Sequence, residues 1–320
     1  MKKWIVFLLG FLTLTISCIY IFIPAKITLS QLGKAEVTSE GEYRNISQED
    51  KWEKWWRDSD GKKHIRGNPF SYNGTLFQIT KSGNNAVGIE IDRNGSKYPS
   101  VIHLISIGHD SIGTIWQCEL PSSNNPFTRI IHYKHAAEIY RDISGVLKVL
   151  SYFVSNPQNV YGFSFFMDSF RDTTLLSTRF ISPSFPTTQE LYRHFDILKQ
   201  NIQKQNGKIS GFPMMNVEVL ENGSFETQVA IPTNRQLKDD GKIVYRRMVP
   251  GNFLCSEVHG GAYTANEALK QMNFFISDNH KSKVANPFQI LVTDRMTEPD
   301  TLKWITKTYI PVANNDLLNK

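Results

Sequence analysis

The amino-acid sequence predicts an α+β protein in which one N-terminal transmembrane helix precedes two folded units, the second of them internally duplicated. Three observations predict it. Twenty uncharged residues run from Trp4 to Ile23. Apolar alternation at period two gives way, from about Pro126, to a helical stripe. Beyond Asn159 a strand, helix, strand, strand pattern occurs twice. The 320 residues leave room for two domains of ordinary size.

Composition narrows the function classes. Hydrophobic residues are 40% and charged residues 21% of the chain, as in globular proteins, and a mean hydropathy of −0.32 excludes a polytopic membrane protein. The formal net charge is +6. Lys2 and Lys3 aside, the basic surplus is shared evenly between the two halves, with no basic arm or stripe. No nucleic-acid partner is therefore expected. Cys18, Cys118 and Cys255 are too few and too scattered for a disulfide framework or a zinc cluster, and neither a metal nor another cofactor is expected.

Residues 1–24 read as the anchor. A helix over Trp4 to Ile23 would be about 30 Å long, the thickness of the hydrocarbon core. Lys2 and Lys3 before it and Pro24 after it place the N-terminus in the cytoplasm and the rest across the membrane. Two alternatives remain: a cleaved signal peptide, and lipidation at Cys18 within Thr15-Ile16-Ser17-Cys18.

Residues 25–157 read as a layered unit. Lys26 to Gln31 is a strand, and Ser47 is the N-cap of a short helix that carries Trp52, Trp55 and Trp56. Strands follow at Ser71 to Lys81, Asn85 to Asp92, Ser100 to His109 and Gly113 to Leu120, separated by turns such as Asn94-Gly95. Ala136, Tyr140, Ile143, Leu147, Leu150 and Val154 then mark one face of a long helix. His132, His135 and Glu138 spread around that helix and do not converge on a metal. This order, with Trp52-Glu-Lys-Trp55-Trp56, resembles the START-like (SRPBCC, polyketide-cyclase-like) fold. The resemblance implies an apolar cavity between helix and sheet, with Trp52, Trp56, Phe77 and Trp116 as candidate lining.

Residues 158–314 contain the duplication. One copy has a strand from Thr173 to Ile181, a helix from Thr188 to Gln205 and strands Met214 to Leu220 and Phe225 to Pro232. The other has strands Lys242 to Val249 and Asn252 to His259, a helix from Asn266 to Asp278, and strands Phe288 to Thr293 and Trp304 to Pro311. Thr227-Gln-Val-Ala-Ile-Pro232 and Thr306-Lys-Thr-Tyr-Ile-Pro311 lie 79 residues apart. Units duplicated in this way pack about a pseudo-twofold axis and leave a cleft at their junction. Residues 315–320 are a tail.

The duplicated pattern resembles the GyrI-like bacterial effector-binding domain, with His259-Gly260-Gly261-Ala262-Tyr263 and the closing Trp304 to Val312 as its specific echoes. The resemblance implies two repeats that bind a small molecule between them, with a buried Glu in the last strand of several members. Lys307 stands at that position here, which favours an anionic or carbonyl-bearing ligand over a cationic one. Cys255, Glu257 and His259, spaced by two, share one strand face. The candidate ligand-binding residues are Glu257, His259, Tyr263, Trp304, Lys307 and Tyr309, and no residue is assigned as catalytic.

The function expected from sequence is a membrane-anchored, extracytoplasmic protein that binds a hydrophobic or amphipathic small molecule in the GyrI-like cleft. Its partners are that ligand and, through the N-terminal helix, the membrane. An acid/base hydrolase or cyclase using Glu257, His259 and Tyr263 is one alternative. A structural or partner-binding envelope protein is another, favoured if neither unit holds a cavity above about 300 Å³.

Overall fold

The computed structural model describes residues 2–83, 85–108, 111–170, 173–248 and 250–313; the expected tail at 315–320 lies outside them. The chain divides into two compact units, Met1–Asn156 and Pro157–Lys320. Both combine helices with antiparallel sheet.

The first unit opens with helix α1 (Lys2–Phe22). Among the described residues no helix is long and apolar enough to cross a membrane, which corrects the transmembrane helix, the membrane partner and the localisation expected above. Helix α1 contacts the helix Pro126–Val154 of its own unit. The last turn is also tied to protein: the Tyr20 hydroxyl donates to the Asn124 carbonyl. The Arg129 guanidinium lies 4.7 Å from the Tyr20 ring centroid and donates to the Ile23 carbonyl. Trp4, Phe7, Leu8 and Phe11 are exposed.

Six strands follow among the described residues: β1 (Lys26–Ala35), β2 (Phe70–Tyr72), β3 (Thr75–Gly83), β4 (Ala86–Arg93), β5 (Ser96–Ser106) and β6 (Ile112–Pro121). They form one antiparallel sheet in the order β1-β6-β5-β4-β3-β2. Asn94 and Gly95 both take positive φ, 53° and 80°, the conformation that a two-residue hairpin between β4 and β5 requires.

Between β1 and β2 lie two short helices where one was expected. Helix α2 (Ser39–Ile46) starts at Thr38, whose hydroxyl accepts from the Gly41 amide. Ser47, expected as an N-cap, closes α2 instead, and α3 (Glu49–Trp55) begins after Gln48. The sequence Ser39-Glu-Gly-Glu-Tyr-Arg-Asn-Ile46 has little apolar periodicity, so α2 leaves no stripe to read.

The long helix α4 (Pro126–Val154) is capped by the Asn125 side chain and lies along β1. Ala136, Ile139, Ile143, Leu147, Leu150 and Val154 are buried on its inner face, while Tyr140 from the expected stripe is exposed. Trp52, Trp56, Phe77 and Trp116 are each no more than 2% exposed and pack on one another. Ring centroids are 5.0 Å apart for Trp52–Trp56, 5.4 Å for Trp56–Phe77 and 5.5 Å for Phe77–Trp116. Trp55 joins them with its ring centroid 5.5 Å from that of Trp52, and all four indoles find a partner: Trp52, Trp55 and Trp56 donate to the carbonyls of Ile46, Asn45 and Ser71, and Trp116 donates to the Ser100 hydroxyl. These rings fill the core at about 1.5–3 kcal/mol per buried large side chain.

The second unit begins with α5 (Pro157–Tyr161) and β7 (Phe166–Phe170), then β8 (Thr173–Ser182), α6 (Thr188–Lys204), β9 (Met214–Val219) and β10 (Phe225–Thr233). The second copy is β11 (Val244–Met248), β12 (Gly251–His259), α7 (Ala262–Asp278), the short β13 (Ser282–Lys283), β14 (Phe288–Leu291) and β15 (Ile305–Ala313). The strands form one sheet in the order β11-β8-β10-β9-β14-β15-β12-β7, with β13 beside β15. Read outward from its centre, β9-β10-β8 on one side answers β14-β15-β12 on the other, so the repeat seen in sequence is a repeat in space.

The flanking strands exchange places. Strand β7 opens the first copy and pairs with β12 of the second, while β11 opens the second and pairs with β8 of the first. Only residues 249–250 separate β11 from β12, yet five strands lie between the two in the sheet. A flat sheet would hold them about 29 Å apart at ~4.8 Å per strand, whereas the link spans at most about 11 Å. The sheet is therefore curled.

Both long helices pack on the outer face of this curl. Thr187 and Glu190 form a capping box at the start of α6, and Leu191, Phe195, Leu198 and Ile202 settle on Leu176, Val229 and Ile231. Helix α7 buries Met272 and Ile276 on Leu254 and Ile310. It starts one turn before the expected Asn266, at a Gly260-Gly261 corner. Gly260 has φ +137°, and a Cβ there would meet the Thr264 hydroxyl oxygen at 2.7 Å. Gly260→Ala is expected to destabilise this unit by about 1–3 kcal/mol in urea unfolding; a variant as stable as the parent would show that the corner relaxes.

Candidate functional site

Period-two alternation sends Phe253 and Cys255 of β12, Tyr309 of β15 and Phe288 of β14 to the inner face of the curl. There they meet Phe170 from β7 and Met248 from β11. Met248 also packs with Leu175, Met214 and Ala230, so side chains from opposite ends of the sheet touch across its hollow. Phe288 stacks on Tyr309 with centroids 5.1 Å apart, and Phe170 meets Phe253 edge-on at 5.1 Å.

Above this floor lies a cavity of about 600 Å³, within the range of small-molecule sites. Leu175, Met214, Ala230, Arg246 and Met248 line it from one side and Phe253, Phe288, Pro311 and Val312 from the other. Both copies contribute, as the cleft expected from the duplication would require. The volume also exceeds the ~300 Å³ that separates a binding reading from a purely structural one. The first unit carries a hollow of about 660 Å³ whose walls are more polar, with Glu49, Glu53, Glu90, Arg66 and Lys97 among them.

The sequence-predicted residues fall on the same sheet face as the cavity or on the outer side of the fold, and none of the six is in its wall. Cross-strand register places Cys255 opposite Tyr309 and Glu257 opposite Lys307. Tyr309 is buried beneath the cavity and donates to the Asp168 carboxylate at 3.4 Å. Its hydroxyl is held well above the usual tyrosine range by burial, then by the neighbouring Cys255 and Asp168. Burial and Asp168 likewise push the Cys255 thiol up to about 12, so it is an inert group that donates to the Phe166 carbonyl.

Glu257, His259 and Lys307 form a polar chain at the other end of the strands. Glu257 lies 3.5 Å from Lys307 and 3.6 Å from His259, with all three partly exposed. Lys307 is thus matched by protein, in a pair worth under about 1 kcal/mol at such exposure. Tyr263 is 83% exposed on the first turn of α7. The Trp304 indole donates to the Glu298 carbonyl at 2.8 Å, and the Arg295 guanidinium lies over its ring at 4.7 Å. Both roles are local to the loops where these residues sit. His132, His135 and Glu138 on α4 turn to three separate partners, the Pro121 carbonyl, the Tyr98 hydroxyl and Arg93.

The cavity residues Leu175, Met214, Arg246, Met248, Phe253 and Phe288 escaped the sequence reading. Leu175–Thr178 of β8 and Phe253–Ser256 of β12 are buried on both faces, and a continuous buried run does not say which face lines a hollow.

Known structures resemble the chain in part. An EcmrR–DNA complex aligns over 60% of this chain and 73% of its own, at 12% identity and a TM-score of 0.44. A hydrolase from Listeria innocua aligns over 47% and 91%, at 10% identity and a TM-score of 0.36. SAV2435 bound to tetraphenylphosphonium aligns over 47% and 94%, at 12% identity and a TM-score of 0.30. The DNA in the first of these belongs to that complex, and the lack of a nucleic-acid partner for this chain stays an expectation of the sequence alone. No known family profile matches the chain, and no curated protein matches it.

Proposed function

We propose that this chain captures a small hydrophobic or amphipathic molecule in the hollow of its second unit. The observation that carries the proposal is the cavity itself: about 600 Å³, walled by Met, Leu, Ala and Phe side chains from both copies of the repeat. An apolar body of that size entering it would exchange water contact for Met248, Phe253 and Phe288, at about 25 cal/mol per Å² of apolar surface covered. Glu257, His259 and Lys307 lie outside the wall of the cavity, 3.5–3.6 Å from one another along the strands.

The neutral dye N-phenyl-1-naphthylamine tests this, because its fluorescence rises in apolar surroundings. One saturable site per chain is expected, and Ala230→Phe, which projects a ring into the cavity, is expected to weaken uptake at least tenfold while leaving Tm within a few degrees of the parent. Absence of saturable uptake, or uptake undiminished by the filling substitution in a folded variant, would overturn the proposal.

A further inference from the structure

The cavity wall is apolar except for amides and one kind of charge. Arg246 and Arg247 line it, and no Asp or Glu does among the described residues. Strand register fixes where Arg246 points: it stands opposite Leu175, and directly opposed residues share a face, so its side chain rises on the same side as Leu175, at the mouth. Strand β11 is an edge strand, paired with β8 alone, and the Arg246 side chain is exposed.

The surrounding carboxylates are engaged elsewhere. Asp239 accepts from the Tyr245 amide at 2.7 Å, and Glu226 lies 3.4 Å from Arg179. Glu218 accepts from Asn286 and Asn216. Asp168 accepts from Ser169 and Tyr309 beneath the aromatic floor. Glu257 is shared between Lys307 and His259. Arg246 makes no ion pair among the described residues.

We infer that the cavity selects an amphiphile with an anionic head, whose carboxylate or similar oxyanion is held by the Arg246 guanidinium at the mouth while its apolar body lies among Met248, Phe253 and Phe288. The inference rests on the proposed function above and adds the sign of the ligand. A guanidinium offers two parallel N–H donors that fit a carboxylate, and the pairing strengthens where apolar walls exclude water. A cationic head would instead be set against like charge without a carboxylate in the wall to match it, the less favourable arrangement.

Three probes with one tail and different heads separate the cases: octanoate, octan-1-ol and octyltrimethylammonium, each titrated against dye-loaded full-length protein at pH 7.5. Octanoate is expected to displace the dye at a concentration at least tenfold below that of octyltrimethylammonium. Arg246→Gln is expected to raise the octanoate value about tenfold and to leave that of octan-1-ol unchanged. Equal displacement by the two ions, preference for the cation, or an octanoate preference that survives Arg246→Gln would overturn the inference while the proposed function stands. Failure of the dye itself to bind would remove the proposed function first.

Discussion

Replacing Asp142 by alanine is expected to cost the first unit about 2–4 kcal/mol, because three donors lose the buried acceptor they share. Asp142 sits on α4 with its side chain 4% exposed and binds three groups from the strand hairpins. Its carboxylate accepts from Thr75 at 2.6 Å and Asn73 at 3.0 Å, and the Arg93 guanidinium lies 3.1 Å away. Arg93 is itself 15% exposed and also donates to Thr75 and to the Asn73 carbonyl. Removing the carboxylate leaves Arg93 paired with Glu138 alone, at 3.0 Å, and takes the acceptor from the Thr75 hydroxyl and the Asn73 amide. Asp142→Asn keeps an acceptor but drops the charge, and a loss of roughly half that size is expected. Urea unfolding followed by tryptophan emission reports on this unit, since Trp52, Trp55, Trp56 and Trp116 all belong to its core. A loss below about 1 kcal/mol for Asp142→Ala would mean that the network is relaxed in solution.

The second large effect is on pH dependence. Glu42 on α2 is fully buried; one carboxyl oxygen accepts from Thr114, and the other has no partner among the described residues. Burial dominates and raises its pKa from 4.5 to about 7, with the Thr114 hydrogen bond pulling weakly the other way. The folded state thus holds a proton that the unfolded chain has released above about 4.5. This contribution is complete below the unfolded pKa and is lost as pH rises through the folded one. The shift amounts to about 3 kcal/mol of stability lost between pH 4.5 and 8, at 1.36 kcal/mol per pKa unit. Glu42→Gln carries no charge at any pH and is expected to flatten the profile across that window, becoming the more stable protein at pH 8. Parallel pH profiles for parent and variant would place the burden on another group.

Helix α2 itself shows where sequence reading stops. Its polar residues give no apolar stripe, and the side chain that most affects its energetics is a glutamate, which composition assigns to the surface. Strand β7 was missed for a related reason: five residues with both faces half-open carry little alternation. The two closing strands, by contrast, were readable because Thr227 to Pro232 and Thr306 to Pro311 repeat the same alternation. They occupy equivalent places in β10 and β15.

The candidate site divides in the same way. Spacing by two put Cys255, Glu257 and His259 on one strand face, and the pairing with β15 keeps them there. Spacing does not say how far along a strand the enclosed region extends. The hollow covers the Phe253 end, and Glu257 and His259 stand beyond it in solvent, paired with each other and with Lys307.

By itself the sequence determined the α+β class, the long helix after the first sheet and the existence of two copies, because hydrophobic period and repetition are local properties of the chain. The tertiary structure decided the exchange of β7 and β11 between the copies, the curl of the sheet and hence which strand face became a cavity wall. Those depend on which strands pair across long stretches of chain and on a two-residue link too short for a flat sheet, and no local pattern encodes either.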